Sequence, residues 1–135
     1  MPLTPLIINV ELSLTVVPTL NKSGNPEFEH SIAVKASNPG IHPITLEQVG
    51  ICLPNKCSIV IIGNPPSVRL PYTLPEGKNC SSYISLKEFI SATQKLNLRQ
   101  DIEIYGYYRN DLGMTYISPA IKFDIIKWKN APLGE

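Results

Sequence analysis

Apolar and polar residues alternate along most of this chain, and thirteen prolines and eight glycines divide it into short segments. Alternation with a period of two is typical of β-strands that bury one face. The first alternating segment places these residues on one face: Ile8, Val10, Leu12, Leu14 and Val16. The second does the same with Phe28, His30, Ile32, Val34 and Ala36. The pattern predicts two strands joined by a turn at residues 21–26.

The alternation changes phase in the third segment. Ile44 and Leu46 share one phase, whereas Val49, Ile51 and Leu53 share the other. A slip of this kind at residues 47–48 predicts a β-bulge, because one extra residue reverses the side chains that follow it. Residues 57–62 are almost all apolar, which predicts a strand covered on both faces.

One helix start interrupts the strands. Ser85 is followed three residues later by Glu88, the spacing of a capping box. Apolar or small side chains then recur at helical spacing, at Leu86, Phe89, Ile90 and Thr93. The pattern predicts a short helix over about 86–96 that crosses from one sheet to the other and covers the open end of the fold.

The last two strands are predicted to form a hairpin with a loop at residues 110–113, so that Tyr107 opposes Tyr116 and Arg109 opposes Met114. The inward set in that register is Ile102, Ile104, Gly106, Tyr108, Ile117, Ile121, Phe123 and Ile125. The outward set contains a candidate interaction patch, which consists of Tyr105, Tyr107, Arg109, Met114 and Tyr116. These residue types are enriched at protein interfaces. The alternatives are that the protein itself covers the patch, or that tyrosine pairs only stabilise the hairpin.

About seven or eight short strands with regular turn signals and no internal repeat predict an all-β fold. The expected architecture is a single immunoglobulin-like antiparallel β-sandwich over residues 1–135 with one crossover helix.

Three stretches carry a resemblance to a group of proteins: NPGIHPITLEQVGICLPN, LPYTLPEGKNCSSYISLKEF and YYRNDLGMTYISP. They resemble segments of uncharacterised bacterial and phage-associated proteins with immunoglobulin-like sandwich folds. The shared features are Leu53-Pro54, Leu70-Pro71, Glu76-Gly77, the helix from Leu86, Asp111-x-Gly113 and Tyr116-x-Ser118-Pro119, and the resemblance spans roughly residues 34–120. These motifs are turns and caps, so the resemblance implies a fold and transfers no activity.

Charge and hydropathy exclude two classes of partner. Twelve basic and eleven acidic residues leave a net charge of +1, which lacks the positive field of a nucleic-acid-binding protein. No apolar run is long enough to span a membrane. The N-terminal stretch contains Pro2, Pro5 and Glu11 and lacks the pattern of a signal peptide. We therefore expect a cytoplasmic protein.

The titratable residues form no recognisable catalytic motif. Cys52, Cys57 and Cys80 are expected to be reduced thiols, although a hairpin could place Cys52 opposite Cys57 and permit a disulfide. His30 and His42 lack the spacing of a zinc site. We expect no cofactor, no metal and no catalytic residue. The alternatives are a small enzyme or metal-binding protein that uses these cysteines and histidines, or a carbohydrate-binding module.

The sequence thus favours a non-catalytic module that binds a protein partner or associates with itself. Its predicted working surface is either the aromatic face of the last hairpin or an unpaired sheet edge.

Overall fold

A computed structural model describes residues 8–20, 22–62, 67–98 and 101–129. The first six strands within these residues are β1 (Asn9–Leu20), β2 (Pro26–Ser37), β3 (Ile44–Cys52), β4 (Ser58–Val60), β5 (Tyr72–Leu74) and β6 (Asn79–Ser85). Helix α1 (Leu86–Lys95) follows, and the remaining elements are β7 (Ile102–Asn110), β8 (Thr115–Ile117), β9 (Ile121–Phe123) and helix α2 (Ile125–Lys129). The described part of the chain therefore contains nine strands, one or two more than the sequence pattern predicts.

The strands form two antiparallel sheets, as an all-β sandwich requires. Sheet A has the order β1-β2-β6. Sheet B has the order β4-β3-β7-β8, and β5 and β9 pair with β3 and β7 respectively. The two sheets meet at Val34 of sheet A, whose carbonyl accepts a hydrogen bond of 2.7 Å from the hydroxyl of Tyr108 in sheet B. The prediction of a mostly β fold built from two antiparallel sheets is confirmed.

The core lies between the sheets and follows the predicted alternation. The fully buried residues of its centre include Ile32, Val34 and Ala36 from β2, Leu46, Val49 and Ile51 from β3, and Ile104 and Tyr108 from β7. The bulge in β3 is also confirmed, because the pairing of β3 with β7 shifts register between Leu46 and Gln48. Residues on both sides of the bulge can therefore face the same core.

The prediction for residues 57–62 is wrong. Only Ser58–Val60 forms a strand, β4, and it lies at the edge of sheet B beside β3. Val60 and Ile62 are exposed. An apolar run is compatible with a strand covered on both faces, but it carries no information on whether another element packs over the outer face.

Helix α1 begins as its cap predicts. The Ser85 hydroxyl accepts a hydrogen bond of 3.1 Å from the backbone N–H of Glu88, which satisfies one free donor of the first turn. The helix buries Leu86, Phe89, Ile90 and Thr93. Its Phe89 ring meets Phe123 of β9 edge to face at 5.0 Å between centroids, so α1 connects sheet A to sheet B along the core. Neither described helix is long and apolar enough to cross a membrane.

Candidate functional site

The last hairpin differs from its predicted register by one residue. Tyr107 lies opposite Ile117, Tyr108 opposite Tyr116, and Arg109 opposite Thr115. The loop is one residue shorter than predicted, because the Asn110 N–H donates to the Met114 carbonyl at 2.9 Å and leaves residues 111–113 as the connection. A three-residue hairpin loop needs a left-handed residue at its end, and Gly113 supplies one with φ +84°.

This shift separates the five residues of the predicted patch. Tyr105, Tyr107 and Arg109 share the outer face of sheet B, since they alternate with buried residues of β7. Tyr116 lies opposite Tyr108 and packs against the core, and its hydroxyl accepts a hydrogen bond of 3.1 Å from the Asn110 amide. The prediction of one contiguous aromatic patch is therefore wrong.

Ile117 takes the position predicted for Tyr116 on the outer face, and it was wrongly predicted to point inward. Its side chain is 60% exposed and lies opposite Tyr107. Met114 is an exposed residue of the loop end. The outer face thus contains an exposed isoleucine where a second tyrosine was expected.

Tyr107 is covered by the strands of its own sheet. It is only 5% exposed and lies opposite Gly50 of β3. A Cβ atom added to Gly50 would lie 2.7 Å from Tyr107 Cε1, so the ring occupies the space that a side chain at residue 50 would need. Burial raises the pKa of Tyr107. This tyrosine stabilises sheet B and does not offer a free surface.

Tyr105 remains partly exposed but has a partner inside the sheet. It lies opposite Cys52, and a hydrogen bond with the Cys52 side chain raises the pKa of Tyr105. Cross-strand pairs of this kind stabilise a sheet.

The cysteines do not adopt the arrangement that a disulfide requires. Cys52 lies opposite Ser58, and the Leu53 N–H donates to the Cys57 carbonyl at 2.8 Å. Since Cys57 pairs with Leu53 and not with Cys52, the two thiols point to opposite faces of the sheet. All three cysteines are free, and Cys80 is buried.

The described residues include no metal-binding cluster and one cleft of moderate size. No three side chains of the His, Cys, Asp and Glu types come together there in a way that could hold a metal ion. The cleft beside the β3 bulge has a volume of about 280 Å³. Its lining residues are Glu47, Gln48, Val60, Ile61, Ile62, Arg69 and Leu70. This set contains no serine, threonine, cysteine or histidine, so the cleft lacks a side-chain nucleophile of these types.

The long edge of sheet A is the second surface that the sequence indicates. β1 pairs with β2 through twelve consecutive residue pairs, from Asn9–Ser37 to Leu20–Pro26, without a bulge. Among the described strands, β2 is its only partner. Leu14 and Val16 of β1 are 42% and 47% exposed. An unpaired edge of this length presents a row of backbone donors and acceptors to a possible partner.

Hydrogen bonds at the opposite edge of sheet A identify which residues of β1 direct their backbone outward. The Ser81 carbonyl accepts from the Val68 N–H at 2.9 Å, and the Tyr83 N–H donates to the Ser67 hydroxyl at 2.8 Å. Odd-numbered residues of β6 therefore point away from β2. In both pairings of β2, odd-numbered residues lie opposite odd-numbered residues. Backbone direction alternates along each strand, so odd-numbered residues of β2 bond to β1 and not to β6. The even-numbered residues of β1 therefore direct their N–H and C=O groups away from the sheet.

Pro18 agrees with this assignment. It is an even-numbered residue within β1, and proline is tolerated in a strand where its missing N–H would face away from the sheet. The outward backbone groups thus belong to Val10, Leu12, Leu14 and Val16, and the ladder of donors ends at Pro18. The alternation of the sequence places these four residues on one face of a strand but does not indicate an edge; the uncharged run before Pro18 is the signal that could have indicated it.

No family model and no curated protein matches this chain. Solved structures with a similar chain include SoR45, a Northeast Structural Genomics Consortium target, at 13% identity and a TM-score of 0.39, covering 87% of this chain and 86% of that chain. They also include a Bordetella pertussis protein provisionally named ApaA, at 16% identity and a TM-score of 0.38, covering 90% of this chain and 94% of that chain. Similarity at this level carries no argument about function.

Proposed function

We propose that this protein is a non-catalytic binding or assembly module with an immunoglobulin-like sandwich fold, and that the edge of β1 is its working surface. The arrangement of the described strands in two sheets and their antiparallel pairing support the immunoglobulin-like assignment. The near-neutral charge favours a protein partner over nucleic acid, and the free thiols favour the cytoplasm.

The unprotected run of β1 between Glu11 and Pro18 carries this proposal. Proteins usually protect edge strands with charged side chains, prolines, bulges or short strands. The run from Leu12 to Val17, LSLTVV, contains no charged residue, proline or glycine, and its pairing with β2 has no bulge. Uncharged runs of this composition associate readily when exposed.

The other described edges are less available. At β6, Ser67 and Val68 already bond to the backbone of Tyr83 and Ser81. In sheet B the edge strands β4 and β8 contain three residues each. A short strand offers few backbone groups to a partner, so β1 is the best candidate for strand addition.

In strand addition, main-chain hydrogen bonds give a bound segment its affinity, and contacts of its alternate side chains give selectivity. An extended segment would receive main-chain hydrogen bonds from the even-numbered residues of β1, whereas its alternate side chains would contact Leu14 and Val16. We expect the partner segment to be uncharged and rich in β-branched residues, because these residues fit a half-buried sheet surface.

Selection of displayed random peptides against the immobilised protein at low density tests the proposal. We expect extended peptides with alternating apolar residues, whose affinity falls about tenfold or more in Val16→Lys. Val60→Lys is the matched control, because Val60 is 48% exposed on a strand of sheet B, against 47% for Val16. Selected peptides that bind both variants like the wild type would show that β1 is not the working surface.

A further inference from the structure

We infer that the strand added to β1 is β1 of a second copy of this chain, so that two molecules form a symmetric dimer through their sheet A edges. This inference rests on the proposed function and specifies its partner. A two-fold axis brings the same surface of both molecules together, and two identical strands related by an axis perpendicular to the sheet are antiparallel.

Pro18 and the direction of the backbone groups determine the register of this pairing. Only even-numbered residues of β1 direct N–H and C=O outward, and Pro18 has no N–H to donate. The even-numbered residues of β1 before Pro18 are Val10, Leu12, Leu14 and Val16. All four bond in a symmetric ladder only when Val10 pairs with Val16 of the second copy and Leu12 pairs with Leu14. The two-fold axis then passes beside Ser13.

The side chains of β1 are compatible with their own copies in this register. Leu14 and Val16, which are partly exposed in one molecule, would gain Leu12 and Val10 of the second copy as neighbours on the same face. Glu11 is the one charged residue of β1. It would lie opposite Thr15 of the second copy, and the two Glu11 residues would be about 13 Å apart along the strands. The pairing therefore brings no like charges together.

The backbone contribution is comparable to that of known interfaces. Each hydrogen-bonded residue pair exchanges two bonds, so the four pairs would form about eight, and a typical protein interface contains about ten. Sheet A would become a continuous six-stranded sheet, since three strands come from each molecule. The net charge of +1 per molecule adds little repulsion between the copies.

Cysteine cross-linking tests the register directly. At the two-fold axis, Ser13 and its copy would form a non-hydrogen-bonded pair with Cα atoms about 4.5 Å apart, within the range of a disulfide. We expect Ser13→Cys, in a background with Cys52→Ser and Cys57→Ser, to form a cross-linked dimer under mild oxidation. Glu11→Cys is the matched control, because residue 11 is also exposed and lies on the same face of β1 but would lie too far from its copy. A mixture of Glu11→Cys and Thr15→Cys should form the mixed disulfide.

Sedimentation of the unmodified protein provides the second measurement. We expect a concentration-dependent dimer whose dissociation constant rises about tenfold or more in Val16→Lys and stays unchanged in Val60→Lys. A wild-type monomer at high concentration, or equal cross-linking of the Ser13→Cys and Glu11→Cys variants, would overturn the inference. In that case, selected peptides that still require Val16 would leave the proposed function intact with another partner. If neither the dimer nor peptide binding that requires Val16 is observed, the proposed function is contradicted as well.

Discussion

Gly106 is a residue of sheet B that lies close against side chains of sheet A. A Cβ atom at this position would lie 2.7 Å from Val34 Cγ1 and 3.4 Å from Leu12 Cδ1. The distance to Val34 is shorter than a normal van der Waals contact, so the buried Val34 side chain or the backbone beside it would have to shift. The alternation of the sequence correctly places residue 106 on the inward face, but it contains no information on how closely the opposite sheet approaches.

Gly106→Ala should therefore destabilise the protein through overpacking. We expect a loss of about 1–3 kcal/mol in the free energy of unfolding, measured by urea denaturation. Val34→Ala in the same chain removes the methyl groups that the new Cβ would meet, so the double variant should be more stable than the sum of the single changes predicts. Strictly additive losses would show that the space around Gly106 does not limit the packing.

Cys80 predicts how stability depends on alkaline pH. Burial raises the pKa of this thiol from an ordinary value of 9.0 to about 11, and burial also raises the pKa of the neighbouring Tyr108. The unfolded chain releases these protons at lower pH than the folded chain does. The contribution of the protonated Cys80 thiol to the free energy of unfolding is therefore fully present below pH 9. It is lost progressively as the pH rises towards 11.

We expect the free energy of unfolding to decrease between pH 9 and pH 11. Cys80→Ala should show a smaller decrease, because the thiol no longer contributes and only tyrosine hydroxyls with a raised pKa remain, Tyr108 among them. Urea denaturation at several pH values measures both slopes. Equal slopes in the two proteins would mean that the buried thiol is not the source.

At the scale of elements, α1 shows how a local signal can specify structure. Ser85 caps the helix through the Glu88 N–H, as the four-residue motif predicts, because both partners lie within one turn. Ser85→Ala should cost about 1 kcal/mol of stability, and Ser85→Asp, which retains an acceptor, should cost little. Neither change should alter association through β1. A Ser85→Ala protein that unfolds normally but no longer associates would show that the helix start is itself a binding site.

The two hairpin loops show where local signals are insufficient. The sequence predicts both turns, yet each register differs from the prediction by one residue. Gly113 adopts a left-handed conformation that shortens the last loop, and Asn55 and Lys56 do the same at φ 64° and 61° in the loop between β3 and β4. Left-handed conformations are uncommon for residues other than glycine, so composition does not predict them at Asn55 and Lys56. A shift of one residue exchanges the two faces of a strand, which is why the tyrosine patch was wrong although its strands were right.

At the scale of the whole molecule, the surface is defined by which edges other elements cover. Sheet A is bonded at β6 by Ser67 and Val68, whereas β2 is the only described strand that pairs with the twelve residues of β1. An unpaired edge was one of the two working surfaces predicted from the sequence, but the pattern does not identify which strand forms it. Strand order depends on contacts between segments far apart in the chain, and the period-two pattern is the same for edge and central strands.

A dimer formed through β1 links stability to protein concentration, because association stabilises the folded state by mass action. We expect the melting temperature of the wild type and of Val60→Lys to rise as protein concentration increases, and that of Val16→Lys to rise less over the same range. Calorimetry of the three proteins over a wide concentration range measures how steeply each melting temperature rises with concentration. A general effect of lysine on stability shifts the melting temperature at every concentration alike, so it does not affect this slope.

Since Glu11 is the one charged residue of β1, the slope should change little between low and high salt. A constant wild-type melting temperature would contradict the dimer, and a slope that disappears at high salt would indicate a charged interface elsewhere on the molecule.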